Sequence, residues 1–570
     1  MAEKNLKRLI SVAKGDQPAD LVITNAKIIN VFNGEIEEGN IAIADEYIAG
    51  IGDYTLGKDV ADVQGKYVIP GYINAHVHIE SSMIDIAEYS LTVVPRGTLG
   101  IVTDLHELSN VLGIEAFNYV IQVCNKLPLD FYLMAPSCVP STNLETGGAI
   151  IDTSALEEIL KKPGVLGLGE MMNYPGVINK DENVLNKLSM FQGRLIDGHA
   201  PGLGGKDLSA YISAGIYSDH ECVTVDEAKE KLARGMYIMM REGSSEKNLE
   251  ALLPLVNDKN FHRCMLVTDD RNVFSLKQEG DMDWVVYRAV SLGMDPVRAI
   301  QMATINPAQY LGLRDVGAIA PGYYANLITL SDLEIMETEE VFYRGYLVGV
   351  GKEPNFTPQV PRVSQPIDTI HIKEIKADDL ALKSSGGEMP VINIVPGQII
   401  TKKTMETPKI ENGLVIADTS RDILKIAVVE RHKATGNIGI GLVKGFGLQK
   451  GAIASSVSHD SHNIVAIGTN DQDLVAAIRE IELMQGGLVM VLNGAAIGKM
   501  ELPLAGILSL EPAEEAAGQL NDIETLVKVM GVSIESPFTV LSFMALPVIP
   551  EIRITDKGII DVDKFEIISG

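Results

Sequence analysis

His76 and His78 stand one residue apart near the end of Val68-Ile-Pro-Gly-Tyr-Ile-Asn-Ala-His-Val-His-Ile-Glu80. On an extended strand, residues i and i+2 point to the same side, so the two imidazoles project into one space. A pair of this kind at a strand end is half of a metal site. Glu170, His199, His220 and Asp269 are of the residue types that would complete it. Imidazoles mixed with carboxylates suit Zn, Fe or Mn better than Ca or Mg, which prefer oxygen-only shells. These ligands outnumber what one tetrahedral catalytic ion uses while it keeps a position open. The economical arrangement is a two-metal site, with His76, His78 and Asp269 on one ion, His199 and His220 on the other, and Glu170 bridging. Such a pair draws electron density from a shared water and makes hydroxide available near neutral pH. Asp269 would take the remaining proton and pass it to the leaving group. Asp270 is its adjacent alternative, because strand register decides which of the two faces inward. The chemistry is hydrolysis at a carbon bearing nitrogen, either an amide or an aromatic amidine, and the ligands alone do not choose between them.

Positioning these residues calls for an α/β fold. The chain has 570 residues, which argues for more than one domain. Residues 71–310 have the length of a (β/α)8 TIM-like barrel, whose functional residues sit at the carboxyl ends of its strands. Eight short apolar runs can be counted there, finishing at His76/His78, Asp104/His106, Ser137/Cys138, Glu170, His199, His220, Arg241 and Asp269. Residues 20–51 read as a β-meander and a second β-rich stretch returns near 316–351, so 1–70 and 311–355 are expected to form one small composite β-sandwich domain. Pro354, Pro358, Pro361 and Pro366 mark a linker. Beyond it, 370–570 reads as a separate α+β domain, with a helix on which Leu474, Ile478 and Ile481 share a face and Gly486 is placed to end it.

The formal charge of −28 leaves no basic stripe for a phosphate backbone, so nucleic acid is excluded as a partner. Cys124, Cys138, Cys222 and Cys264 have no C-x-x-C spacing and read as reduced core thiols. No apolar run is long enough for a signal peptide or a membrane span, and a soluble cytoplasmic protein is expected.

The segment Val68 to His78 resembles the first-strand signature of the amidohydrolase superfamily, and Ala303 to Leu313 followed by Pro321-Gly322 resembles its exit from the barrel. Within it, the chain is similar to the bacterial and archaeal adenine deaminase family through His76-Val-His-Ile-Glu-Ser-Ser-Met83, Gly167 to Gly176, Asp197-Gly-His-Ala-Pro201, Ser218-Asp-His-Glu221, Arg241-Glu-Gly-Ser244 and Thr268-Asp-Asp-Arg271. The likeness spans essentially the whole chain, including Ser458-His-Asp-Ser-His462. It implies hydrolysis of adenine to hypoxanthine and ammonia for purine salvage, two divalent ions (Mn or Fe, with Zn also suitable), adenine and water as small-molecule partners, and a homo-oligomer. Glu170 stands where many relatives carry a carboxylated lysine, which argues against a dihydroorotase- or hydantoinase-like activity. Ala325-Asn326-Leu327 departs from the usual Ala-Asp-Leu, but in the β domain. A different amidohydrolase, acting on a cyclic amide or an N-acetyl group, is the alternative enzyme. A barrel reduced to a scaffold should have lost metal ligands, and none is missing.

Other residues leave choices open. Glu80 either meets the purine ring as a hydrogen-bond partner or acid, or orients a metal-bound histidine. Arg241 and Glu242 either contact substrate or pair with each other. Asp104, His106 and Glu107 form an accessory metal site or, preferably, support the ligands from behind. In an extended segment His459 and His462 face opposite sides, so with Asp460 they are expected to serve structure or a subunit contact. His262, His371 and His432 read as surface positions. Gly439-Ile-Gly441 and Gly494 to Met500 lack the remaining residues of nucleotide-binding motifs.

Overall fold

A computed structural model describes residues 4–359, 365–383, 386–396 and 398–568. Pro361 lies outside the described residues. The first strands, Ala19–Ile29, Ile36–Ala44 and Tyr47–Gly52, pair with one another antiparallel in chain order. Tyr67–Pro70 then pairs parallel to Ala19–Ile29 and antiparallel to Leu327–Leu330, which continues through Thr338–Tyr343 and Tyr346–Val350. The segments on either side of the middle region therefore share one sheet. Chain entry and exit lie side by side, Leu327 opposite Pro70.

Between them lies an α/β barrel of the TIM type. Among the described residues its parallel strands are Tyr72–Asn74 with Val77–His78, Thr98–Thr103, Asp130–Ala135, Val165–Met171, Leu195–Gly198, Ser218–Asp219, Tyr237–Arg241, and Cys264–Val267 with Asp269–Asp270. Successive strands pair in chain order, except between Leu195–Gly198 and Ser218–Asp219, where Gly198 N donates to Ser218 Oγ at 3.1 Å. Asp269–Asp270 pairs with Val77–His78 and brings the last strand back to the first. All six residues of Thr98–Thr103 are buried, as expected of a parallel strand covered on both faces. Gly169 has no side chain for a steric reason: a Cβ there would lie 2.6 Å from Cβ of Asp104 on the neighbouring strand.

The C-terminal region builds a mixed sheet in the order Thr401–Glu406, Met389–Ile394, Ile438–Lys444, Ile423–Val429, Ile464–Gly468, Ala452–Ser455, Gly487–Leu492 and Ala495–Glu501. Helix Asp471–Met484 buries Leu474, Ile478 and Ile481 against it. The left-handed residue that ends this helix is Gln485 (φ 58°), one position before the expected Gly486, which is itself left-handed at φ 119°. Gly486 is required there because a Cβ would meet Gly506 Cα at 2.4 Å.

This region packs on the barrel's functional end. Ser509 N donates to Met83 O at 2.8 Å, Thr146 N to Asp556 Oδ1 at 2.9 Å and Thr555 Oγ1 to Leu144 O at 2.6 Å. Ile84 and Leu276 of the barrel share an apolar cluster with Ile507, Leu508 and Leu520. No helix among the described residues is long and apolar enough to cross a membrane.

One buried ion pair holds the barrel beneath its fifth and sixth strand ends. Lys231 is fully buried, its Nζ 3.0 Å from Asp219 Oδ2, 2.8 Å from Glu227 Oε1 and 2.6 Å from Ala200 O. Removing one partner of a buried pair strands the other's charge in low dielectric. Lys231→Met should therefore cost about 3–5 kcal/mol, read as a lower denaturant midpoint, and the Lys231→Met/Asp219→Asn double variant should recover part of the loss.

Candidate active site

His76 and His78 lie at the short strand that closes the barrel, and their rings meet edge to face with centroids 4.8 Å apart. Opposite them the chain turns sharply at Asp269, whose φ of 60° is unusual for a residue with a Cβ. The turn puts Asp269 Oδ1 3.6 Å from His76 Nε2 and 3.4 Å from His78 Nε2. Asp270 instead accepts a 2.5 Å hydrogen bond from Ser81 Oγ. The fourth strand delivers Glu170 to the centre, with one carboxylate oxygen toward each side. Oε1 lies 3.3 Å from His78 Nε2, while Oε2 lies 2.6 Å from His199 Nδ1 and 3.3 Å from His220 Nε2. The rings of His76 and His220 stack at 4.0 Å.

All six expected ligands thus converge, and apart from His199 each is at least nine-tenths buried. His76 Nε2 and His78 Nδ1 are buried without a hydrogen-bond partner. Donor atoms of His76, His78 and Asp269, and of His76, Glu170 and His220, lie within 4.8 Å of one another. Divalent transition cations fit this mixed nitrogen and oxygen set, which offers lone pairs to a common space. Burial alone would raise the Glu170 carboxyl, but His199, His220 and His78 overcome it and hold it well below the usual carboxylate range. Burial opposes ionisation of Asp269 as well, and the Arg241 guanidinium beside it, with His76, His220 and His78, lowers it.

Asp104 lies behind the ligands, its Oδ1 2.8 Å from His106 Nδ1 and 3.6 Å from His78 Nδ1. Arg241 does not pair with Glu242. Its Nη1 bridges Glu221 Oε1 at 2.5 Å and Asp269 Oδ2. Glu242 stands 4.0 Å from Lys247 instead. Neither is among the residues lining the cavity next to Glu80 and Asp270. The reason is charge: a buried guanidinium between two carboxylates is taken up by them.

That cavity is lined by Glu80, Glu246 and Asp270 from the barrel and by His459, Phe538 and Phe543 from the C-terminal region. Glu80 Oε1 accepts from Leu108 N at 3.3 Å and Oε2 has no hydrogen-bond partner. Burial raises its carboxyl to about 7. Glu246 is raised to about 7 by burial and then by Asp270, and its Oε2 is also without a hydrogen-bond partner.

The expectation that His459 and His462 face opposite sides is overturned. Both imidazoles meet Glu107, His459 Nδ1 at 2.5 Å from Oε1 and His462 Nε2 against Oε2. The segment is not extended: His462 N donates to Ser458 O at 2.7 Å and His462 has φ 54°, so alternation of sides does not apply. His432 is half-buried with Nε2 2.7 Å from Ser461 O, whereas His262 and His371 are exposed.

Glu221, Glu246 and Asn248 escaped the sequence reading. Strand alternation would turn Glu221 away from its neighbour His220, but the strand ends at Asp219 and both face inward, Glu221 Oε1 3.4 Å from His220 Nε2. Asn248 Nδ2 donates to the carbonyls of His220 and Cys222, both at 2.9 Å, and its Oδ1 accepts from Arg241 N at 2.7 Å. Only the fold brings it there.

Residues 67–354 match the amidohydrolase family, and residues 398–566 match the adenine deaminase C-terminal domain. Adenine deaminase of Dehalococcoides mccartyi strain BAV1 is 53% identical over 99% of both chains. Adenine deaminase 2 of Carboxydothermus hydrogenoformans is 46% identical, again over 99% of each. Adenine deaminase of Methanothrix thermoacetophila is 43% identical over 98% of each. The chain belongs to the amidohydrolase family and, within it, to the adenine deaminases.

Groups that hold a ligand from behind typically control metal affinity 10- to 100-fold. Asn248→Ala should weaken divalent-metal affinity by roughly that factor, measured by competition with a chromophoric chelator.

Proposed function

We propose that this chain catalyses the hydrolytic deamination of adenine, replacing the C6 amino group by oxygen to give hypoxanthine and ammonia. The observation that carries the reading is the convergence of four imidazoles and two carboxylates at one end of the barrel, in a chain that matches adenine deaminases over nearly its whole length. His76, His78 and Asp269 would hold one divalent cation and His199 and His220 a second. Glu170, with an oxygen toward each group, would serve both. Mn or Fe suits this shell best, and Zn is acceptable to it. When bound, the cations supply Lewis acidity, which brings the pKa of water toward neutrality.

The chain's own groups do the rest. Asp269 is ionised at rest, held by Arg241, and accepts the proton released as water adds to C6. It delivers that proton to the departing amino nitrogen. Glu80, its carboxyl raised to about 7 by burial and its Oε2 without a hydrogen-bond partner, donates its proton to a ring nitrogen as negative charge grows there. The second proton of the water, released as the C6 oxygen becomes a carbonyl, restores it. Glu246 faces the same space and hydrogen-bonds another edge of the purine. Asp104 orients His78 and His106. Arg241 positions Asp269 and Glu221 rather than touching substrate, and Glu242 supports the adjacent loop.

The domain division that fits this chemistry is 1–70 with 311–355 as a small β-sandwich unit, 71–310 as the catalytic barrel and 370–570 as an α+β domain covering its mouth. The protein acts in the cytoplasm on a free base for purine salvage, as a homo-oligomer.

Incubated with adenine, Mn-loaded protein should release ammonia and shift the ultraviolet spectrum to that of hypoxanthine. Failure on adenine with turnover of a cyclic amide or N-acetyl substrate would overturn the reading. Asp269→Asn should lower kcat by roughly 10²- to 10⁴-fold, the usual worth of a positioned acid–base group, with the circular dichroism spectrum unchanged. Glu170→Gln should lower bound metal per chain by elemental analysis, and chelation of the wild type should abolish turnover until a divalent cation is restored.

A further inference from the structure

We propose that His106, Glu107, His459 and Asp460 form a further cation site, separate from the paired centre, where the C-terminal region meets the barrel. It shares no ligand with that centre and does not depend on the activity assigned to it.

Barrel and C-terminal region each contribute one imidazole and one carboxylate. His106 Nε2 lies 3.7 Å from Glu107 Oε1 and 3.8 Å from Asp460 Oδ1. His459 Nδ1 lies 2.5 Å from Glu107 Oε1 and 3.8 Å from Asp460 Oδ1. Donors bonded to one tetrahedral ion at 2.0–2.2 Å lie roughly 3.3–3.6 Å apart, so three of these four separations need only slight contraction. The fourth requires His459 and Glu107 to part around the ion.

Protonation of the surrounding groups supports ligation. His106 Nδ1 faces Asp104 Oδ1 at 2.8 Å, and a carboxylate only accepts, so Nδ1 carries a proton, and an ion displacing any proton on Nε2 would meet a lone pair directed toward Asp460 and Glu107. A carboxylate behind a histidine in this way is the usual support of a metal-binding imidazole. Ser458 N donates to His462 Nδ1 at 3.3 Å, which leaves the His462 proton on Nε2, against Glu107 Oε2. His462 is thus an orienting group for Glu107. An independent sign is Asp460, only 1% exposed, whose Oδ2 has no hydrogen-bond partner. An unsatisfied buried carboxylate oxygen is costly, and a cation removes the cost.

Two imidazoles with two carboxylates select a divalent transition metal over Ca or Mg. Glu107 and His459 also line the cavity, which gives an ion a route in. Bound there, the ion would join residues about 350 positions apart in the chain and fix the C-terminal wall of the cavity on the barrel.

The test is metal counting on the full chain, stripped with chelator and titrated with Mn²⁺ or Zn²⁺. Wild type should saturate at one more equivalent than Asp460→Asn or His459→Gln. Glu170→Gln should disturb the paired centre and keep the additional equivalent, so that failure of one site is distinguishable from failure of the other. Equal stoichiometry in wild type and both C-terminal variants would overturn the proposal. Should either variant misfold, anomalous diffraction from Mn-soaked wild-type crystals decides. A peak bounded by His106, Glu107, His459 and Asp460 is expected, and peaks confined to the His76–Asp269 cluster would overturn it.

Discussion

Many charges are buried in one small space, and the rest of the site follows from how they are neutralised. Glu170 is the hub. It is 3% exposed, and a carboxylate buried there alone would take up a proton rather than stay ionised. It stays ionised because imidazoles approach it from the first, fifth and sixth barrel strands. Asp269 is held in the same way by His76, His78 and Arg241. Each group is tolerable only while its neighbours keep their places, so the site is a mutually dependent assembly rather than a sum of pairs.

That dependence explains the buried polar framework outside the cluster. Lys231 neutralises Asp219, whose Oδ1 accepts from Ala200 N at 2.8 Å beside His199. Asn248 ties the His220 and Cys222 carbonyls to the seventh strand. None of these groups faces the cavity. They hold backbone at strand ends, where a small displacement would pull an imidazole out of reach of the carboxylate it balances.

The C-terminal region completes the enclosure. A TIM-type barrel leaves its strand ends open to solvent, and here Phe538, Phe543, Leu488 and Ile507 wall the space beside Glu80 and Glu246. Apolar walls around a few polar groups suit a flat heteroaromatic base: the faces of the ring lose water while its edge finds hydrogen bonds. The same walls push Glu80 and Glu246 toward neutrality, so carboxyl groups there can donate as well as accept.

Much of this was written locally in the chain. His76 and His78 share a side because of the two-residue period of an extended strand, and each metal-ligand residue type stood at the end of an apolar run. Such signals depend on backbone geometry within a few residues, which sequence determines by itself. What needed the tertiary structure is wherever the chain leaves regular geometry or where partners are remote. The turn at Asp269 separates the roles of two adjacent aspartates, and the end of the sixth strand lets Glu221 join His220. The left-handed turn at His462 aims two histidines at Glu107, some 350 residues earlier. Side-chain alternation carries no information past the end of a strand, and which carboxylate a remote imidazole meets is decided by the packing of one region on another.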